Sequence, residues 1–305
     1  MTPGYDHPLY ILAFDHRTSF TTKLFGIQGD PTPAERERVQ EAKQIILEGL
    51  VAAADSAPAG TVGGLVDEEH GAAAAREAKQ LGIPFAMSAE KSSVPEFDFE
   101  YGEDFARHIE EFEPDFVKIL ARYNPDGDRE LNRRQAERLA RLSDYLAPRE
   151  TKYLFELLVP PEPHQLAALE SDSERYAIEL RPELAARAIA ELQAAGVEPD
   201  IWKVEGLDRT EDCENVVAVA RRNGRDAVGC IILGRGEDEK KVGEWLTIAS
   251  QVPGFVGFAT GRTVFWQPLI DFRRHKITRN QAVLDIARRY SEFVDTFQFG
   301  KSRAA

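Results

Sequence analysis

Cysteine is scarce in this chain: Cys213 and Cys230 are the only two among 305 residues. Two cysteines make neither a disulfide framework nor a paired-cysteine zinc site. Cys230 lies in the apolar run "AVGCIILG" and reads as a buried thiol, which suits a reducing cytoplasm. Histidine is sparse too: there are six, none in an H-x-H or H-E-x-x-H spacing, which disfavours a zinc-type catalytic centre. Basic residues are in deficit, 38 against 52 acids, for a formal charge of -14. Such a balance argues against nucleic acid or an anionic membrane as partner, while a small anion still needs only a local basic pocket. No stretch approaches 18 uninterrupted apolar residues, and "MTPGYDHPLYILAFDHR" has neither a basic start nor a long apolar centre. Neither membrane insertion nor export is indicated, and a cytoplasmic protein is expected. A low-complexity linker is also missing, so one domain over 1–305 is expected, with its core at about 7–297.

What is present is a repeated alternation. Short apolar runs of strand length fall at 9–15, 61–69, 83–90, 115–123, 152–159, 200–206, 227–234 and 254–261. Between them lie segments of helical period such as 33–54, 71–82, 130–147, 181–196 and 210–224, several ending at glycine before the next strand. Near-continuous apolar strands alternating with amphipathic helices imply a parallel sheet covered by helices. Eight such units predict an α/β fold, a single (β/α)8 TIM barrel, with 281–297 as a closing C-terminal helix and "GKSRAA" as a frayed tail. A doubly wound open sheet is the competing arrangement. The proline- and charge-rich connection 157–183 is longer than a usual strand-to-helix loop and is expected to carry a short helix and overhang the active-site face.

In such a barrel the chemistry sits at the carboxyl ends of the strands. Those ends carry Asp15, His16 and Arg17; Asp67, Glu68, Glu69 and His70; Glu90 and Lys91; Lys118 and Arg122; Glu156; Lys203 and Glu205; Arg235; and Thr260 with Arg262. Unpaired buried charge costs several kcal/mol, about the worth of a whole stabilising cluster, so converging acids and bases point to pairing and catalysis. Lys118 in "FVKIL" and Lys203 in "IWKVE" stand inside strands rather than at their edges. An inward, desolvated amine with a second cation nearby is pushed toward neutrality, as attack on a carbonyl carbon requires. The competing interpretation is structural ion pairing with Glu156 or Glu205, and the residues alone leave both open.

Two glycine-bearing turns follow strands seven and eight: "LGRGED", with Gly234, Arg235 and Gly236, and "ATGRTVF", with Gly261 and Arg262. Glycine lets backbone N–H groups approach an anion, and an arginine can add a bidentate contact, so the pair predicts a phosphate or sulfonate site. Ordinary tight turns are the plainer alternative. "DEEHG" at 67–71 offers carboxylates and a histidine to a divalent metal through Asp67, Glu69 and His70; no metal and no cofactor is nevertheless expected.

The runs "ILAFDHR", "DFVKILARYNPD", "LFELL", "IWKVEG" and "VGFATGRTVF" occur in the order, and at the approximate spacings, of the class I tagatose-bisphosphate and sulfofructose-phosphate aldolases. The chain as a whole resembles more closely the aldolase-like domain often fused to the sugar kinase of myo-inositol breakdown, over about residues 7–297. This resemblance implies Lys203 as the Schiff-base lysine, Lys118 as its strand-four companion, Glu156 as the proton-moving acid and Asp15 as the strand-one acid. It implies phosphate binding by Gly234, Arg235, Gly236, Gly261 and Arg262, and substrate contacts by His16, Arg17, Glu69, Lys91, Arg122 and Glu205, with Glu205 orienting Lys203. The implied reaction is cleavage of a phosphorylated keto sugar or keto sugar acid to dihydroxyacetone phosphate and an aldehyde; for 2-deoxy-5-keto-gluconate 6-phosphate the aldehyde is malonate semialdehyde. Its carboxylate would meet Arg17, Lys91 or Arg122. A homo-oligomer and a functional association with a sugar kinase are also expected. His16 stands where the sugar-bisphosphate aldolases have glutamine, and Gly234-Arg235-Gly236 replaces a serine-type turn, so the substrate need not be theirs. A divalent-metal lyase or epimerase, or a non-catalytic sugar-phosphate-binding barrel, are the alternatives.

Overall fold

The computed structural model describes residues 2–55 and 57–304. Eight parallel strands close on one another in sequence order: β1 (Leu9–Ala13), β2 (Val62–Val66), β3 (Phe85–Ser88), β4 (Phe116–Arg122), β5 (Lys152–Leu158), β6 (Ile201–Glu205), β7 (Gly229–Leu233) and β8 (Phe255–Thr260). The barrel expected from the alternation is thus the one observed, and the open sheet is excluded. The ring seals where β1 pairs β8, Leu9 opposite Gly257 and Leu12 opposite Thr260.

Each strand is followed by a helix: α1 (Pro33–Ala54), α2 (Glu68–Gln80), α3 (Phe105–Phe112), α4 (Arg129–Leu146), α5 (Arg181–Ala194), α6 (Thr210–Ala220), α7 (Glu239–Ser250) and α8 (Arg262–Arg273). Their starts are chemically marked. Thr32 caps α1 in a reciprocal box with Glu35, ahead of Pro33, and the carboxylates of Asp67, Asp128 and Asp238 accept backbone N–H groups at the starts of α2, α4 and α7. The closing helix α9 (Arg279–Ala304) continues beyond the expected 281–297 and takes in most of the segment expected to fray; Ala305 lies outside the described residues.

Strand side chains alternate between two cores. Leu9, Ile11, Phe116, Leu154, Ile201 and Ile231 fill the barrel interior, whereas Val117, Phe155, Trp202 and Cys230 face the surrounding helices. Position parity therefore fixes where the charges go: Lys118 shares a strand face with Phe116, Glu156 with Leu154, and Lys203 with Ile201. The apolar layer fills the lower barrel, Tyr5 packs edge-on against Phe116 beneath it at 5.3 Å, and the charged side chains lie above it toward the carboxyl mouth. Among the described residues, no helix is long and apolar enough to cross a membrane.

Candidate active site

A cavity of about 420 Å³ opens at the carboxyl ends of the strands, within the range of small-ligand sites. At its floor, Lys118 Nζ donates to Asp15 Oδ2 at 2.8 Å and Glu90 Oε1 at 3.0 Å, and lies 3.0 Å from Glu156 Oε2. Lys203 Nζ donates to the same Glu156 oxygen at 2.9 Å. Both lysines are 2% exposed. The sheet register brings this about, because Glu156 and Lys203 are direct partners on β5 and β6. The two amines therefore do not face each other alone: one carboxylate oxygen lies between them.

Burial disfavours charge on Lys118, but Asp15, Glu156 and Glu90 outweigh it and hold the amine well above its ordinary range as a firm ammonium. Burial would likewise raise Asp15 and Glu156, yet Lys118 and Lys203 hold both carboxylates below the usual range. Glu90 goes the other way. Burial raises it, and the neighbouring charge of Asp15 adds to the rise, against Lys118 and Arg17. Burial also pushes the His16 imidazole down to about 4, with Asp15 opposing and Arg262, Lys43 and Lys203 assisting, so the ring is neutral at pH 7.

The other expected residues divide between those that line the cavity and those that do not. His16, Arg17, Lys91, Arg122, Arg235, Gly236, Gly261 and Arg262 line the cavity. Arg17 is already engaged: it donates to Glu100 Oε2 at 2.8 Å, Glu90 Oε1 at 3.1 Å and the Glu90 carbonyl at 2.7 Å. Arg122 donates to the Val94 carbonyl at 3.1 Å. On the β7 and β8 side, Arg262 Nη2 donates to the Arg235 carbonyl at 3.0 Å, and Gly236 holds a left-handed φ of 79° where a Cβ would stand 2.6 Å from the Arg262 guanidinium. Gly261 precedes α8 with no side chain to cap it; Val264 N–H donates to the Gly261 carbonyl at 2.9 Å, which leaves the N–H groups of Arg262 and Thr263 to other acceptors.

Three expectations need correction. Glu205 does not orient Lys203: its carboxylate accepts from Val159 N–H at 2.9 Å and pairs with Arg235 at 2.9 Å and Arg181 at 3.4 Å, because the last residue of β6 meets the rim arginines rather than the lysine two positions below. Glu69 does not reach the cavity; it is exposed on the first turn of α2 beside His70. Gly234 packs against Thr260 behind the wall rather than in it. The metal arrangement at 67–71 is also disassembled, since one Asp67 oxygen pairs with Lys43 and the other caps His70 N–H, and among the described residues no group of His, Cys, Asp and Glu is placed to hold a metal.

The overhang differs as well. Of the connection 157–183, only Leu158 lines the cavity; a short helix at Pro163–Ala168 sits beside the turn after β4, where Gln165 accepts from Asn124, while Tyr176 donates to the Val159 carbonyl just past β5 and Arg181 pairs with Glu205 on β6. The cover comes instead from the β3–α3 connection, through Lys91, Ser92, Ser93, Val94, Pro95 and Phe97. Sequence reasoning also passed over Lys43. From α1 it reaches, fully buried, to the carbonyls of Phe14 at 2.8 Å and His16 at 3.1 Å as well as to Asp67, and so fixes the loop carrying Asp15. The signal was faint: one lysine among many polar residues on an amphipathic helix.

Fold and site together define a TIM barrel with its candidate chemistry at the carboxyl mouth. The chain belongs to the family described as "Uncharacterized protein conserved in bacteria (DUF2090)", whose pattern matches residues 4–300. No curated protein sequence matches it. Among solved structures, it is similar to a fructose-bisphosphate aldolase from Plasmodium falciparum, crystallised with TRAP and a small-molecule inhibitor, at 15% identity and a TM-score of 0.66, over 99% of this chain and 98% of that one. It is also similar to an archaeal fructose 1,6-bisphosphate aldolase at 16% identity and a TM-score of 0.58, over 96% and 94% of the two chains. At these identities the likeness is one of fold.

Proposed function

We propose that this protein is a lyase of the class I aldolase type, cleaving a phosphorylated keto sugar or keto sugar acid through a Schiff base on Lys203. The observation that carries this reading is the Lys203–Glu156 pair, a buried amine and a proton acceptor 2.9 Å apart on the floor of the cavity at the carboxyl mouth. In this reading the Lys203 nitrogen attacks the substrate ketone, and Glu156 relays protons from nitrogen to oxygen, so that water leaves and an iminium forms. The iminium then receives the electron pair released as the C–C bond breaks, so no metal ion is needed as electron sink. Lys118 contributes a fixed positive charge that keeps Glu156 ionised. Arg235, Arg262 and the uncapped start of α8 offer a phosphate site on the β7 and β8 side. The aldolase names of two similar barrels agree with this chemistry. The preferred substrate is 2-deoxy-5-keto-gluconate 6-phosphate, giving dihydroxyacetone phosphate and malonate semialdehyde.

The test is borohydride reduction in the presence of keto sugar phosphates, followed by mass spectrometry and peptide mapping. The expected result is a substrate-dependent adduct on Lys203 that disappears in Lys203→Met. An adduct that survives that substitution, or none with any keto sugar phosphate, overturns the mechanism.

A further inference from the structure

Like Asp15, Glu90 is a cavity carboxylate for which the lysine chemistry above has no use, and of the two it is Glu90 that keeps a buried oxygen without a protein partner. It sits just beyond β3, 7% exposed, at the point where the covering connection begins. Its two oxygens are treated differently. Oε1 accepts from Lys118 Nζ at 3.0 Å and from Arg17 Nη2 at 3.1 Å, which fixes the carboxylate plane from two sides. Oε2 is buried and has no protein partner, while the side chain lines the cavity. A buried carboxylate oxygen without a donor is costly, so one on a residue that lines a ligand site is best satisfied by a group the ligand brings. Lys118 touches both Glu90 and Glu156, so the two carboxylates share one ammonium, and both line the cavity together with Lys203.

We propose, resting on the lysine mechanism above, that Glu90 is a second catalytic carboxylate, the base that takes the proton of the substrate hydroxyl at the bond to be cleaved. The step balances. Glu90 Oε2 accepts the hydroxyl proton, the C–O bond becomes a carbonyl, the C–C bond breaks, and its electron pair passes to the iminium to give an enamine. The proton gained by Glu90 equals the one the enamine carbon needs before hydrolysis returns the ketone and free Lys203. Labour is thus divided: Glu156 serves the nitrogen and Glu90 serves the hydroxyl. The environments fit this division, since Glu156 is held below the ordinary carboxyl range and Glu90 above it, and a base works best with its pKa drawn toward the working pH. The groups facing Glu90 are Lys118 on β4 and Asp15 and Arg17 after β1, with Glu100 on the far side of Arg17.

The experiment compares wild type, Glu90→Gln and Glu90→Asp in borohydride trapping and in pH–rate profiles of cleavage. Glu90→Gln is expected to form the Lys203 adduct as wild type does, yet to cleave about 10²–10⁴-fold more slowly. It is also expected to lose the acid limb over which the rate falls as Glu90 is protonated. Glu90→Asp, which keeps a titratable oxygen, is expected to restore that limb at reduced rate. A Glu90→Gln enzyme with unchanged rate and profile overturns the proposal. So does one whose adduct formation falls in step with its cleavage, because Glu90 would then only brace Lys118 and Arg17. Absence of an adduct in wild type sinks the lysine mechanism and this proposal together; a normal wild-type adduct with an indifferent Glu90→Gln sinks this proposal alone.

Discussion

Glu156 is the single charged partner that Lys203 has among the described residues, whereas Glu156 itself is shared with Lys118. The asymmetry separates two substitutions that both stop the proposed chemistry. Lys203→Met leaves Glu156 paired with Lys118, and its stability should stay within about 1 kcal/mol of wild type. Glu156→Gln strands Lys203 in the barrel interior and should cost about 3–5 kcal/mol, the usual penalty for removing one member of a buried pair. Denaturant unfolding of the two variants checks the order.

The neutral His16 makes stability depend on pH. Its folded-state pKa of about 4 lies below the ordinary 6.5, so between these values the unfolded chain binds a proton that the native state refuses. Stability is therefore intact above about pH 6.5 and declines as pH falls toward 4, by at most about 3 kcal/mol from this group. His16→Gln should flatten that part of the profile. Unfolding of both proteins at pH 7.5 and 4.5 measures the difference, and equal losses would count against a buried neutral ring.

Gly236→Ala tests the anion site without altering a charge. The left-handed φ of 79° strains any side chain by about 1 kcal/mol, and the new methyl would push the Arg262 guanidinium aside. The expected outcome is a KM for phosphorylated substrate raised about tenfold, with kcat nearly kept and only a small loss in thermal stability. Steady-state kinetics on phosphorylated and unphosphorylated substrates supply the check, since only the former should respond.

Lys43→Met removes the buried ammonium that Phe14, His16 and Asp67 share. Asp67 is fully buried, so the uncompensated carboxylate should destabilise the fold by about 3–5 kcal/mol. Adding Asp67→Asn in the same chain should recover part of this loss, because the amide can still accept His70 N–H without a charge. Failure of the second substitution to recover any stability would place the damage in the β1 loop rather than in the ion pair.

The barrel was legible because its evidence is local and repeated: short apolar runs such as "YLFEL" and "DIWKVE", alternating eight times with helical segments, fit a sheet buried on both faces. The standing of Lys118 and Lys203 inside strands rather than at their edges also pointed both amines to the interior, where the structure has them. What escaped notice depends on contacts distant in sequence. Nothing around Glu205 reveals that Arg181 and Arg235 compete for it, and nothing in "EKSSVPEFDFEYG" announces a cover tied down by Arg17 through Glu100, 83 positions away. Loop length misled at 157–183, where a long proline-rich connection folds sideways across the ends of β4, β5 and β6 while a shorter one roofs the cavity.

The helix α9 lies across the seam where the ring closes. The Tyr290 hydroxyl donates to the Tyr10 carbonyl on β1 at 2.6 Å, and Phe293 and Phe297 pack against Phe258 on β8. The first and last strands thus receive their apolar cover from a helix that follows both of them in the sequence. A chain growing from its amino end must carry β1 with that flank bare until residues near 297 have emerged. For this protein, a ribosome paused after β8 and before α9 has emerged displays a sheet with one unroofed edge, and that interval is when a chaperone would find most to hold.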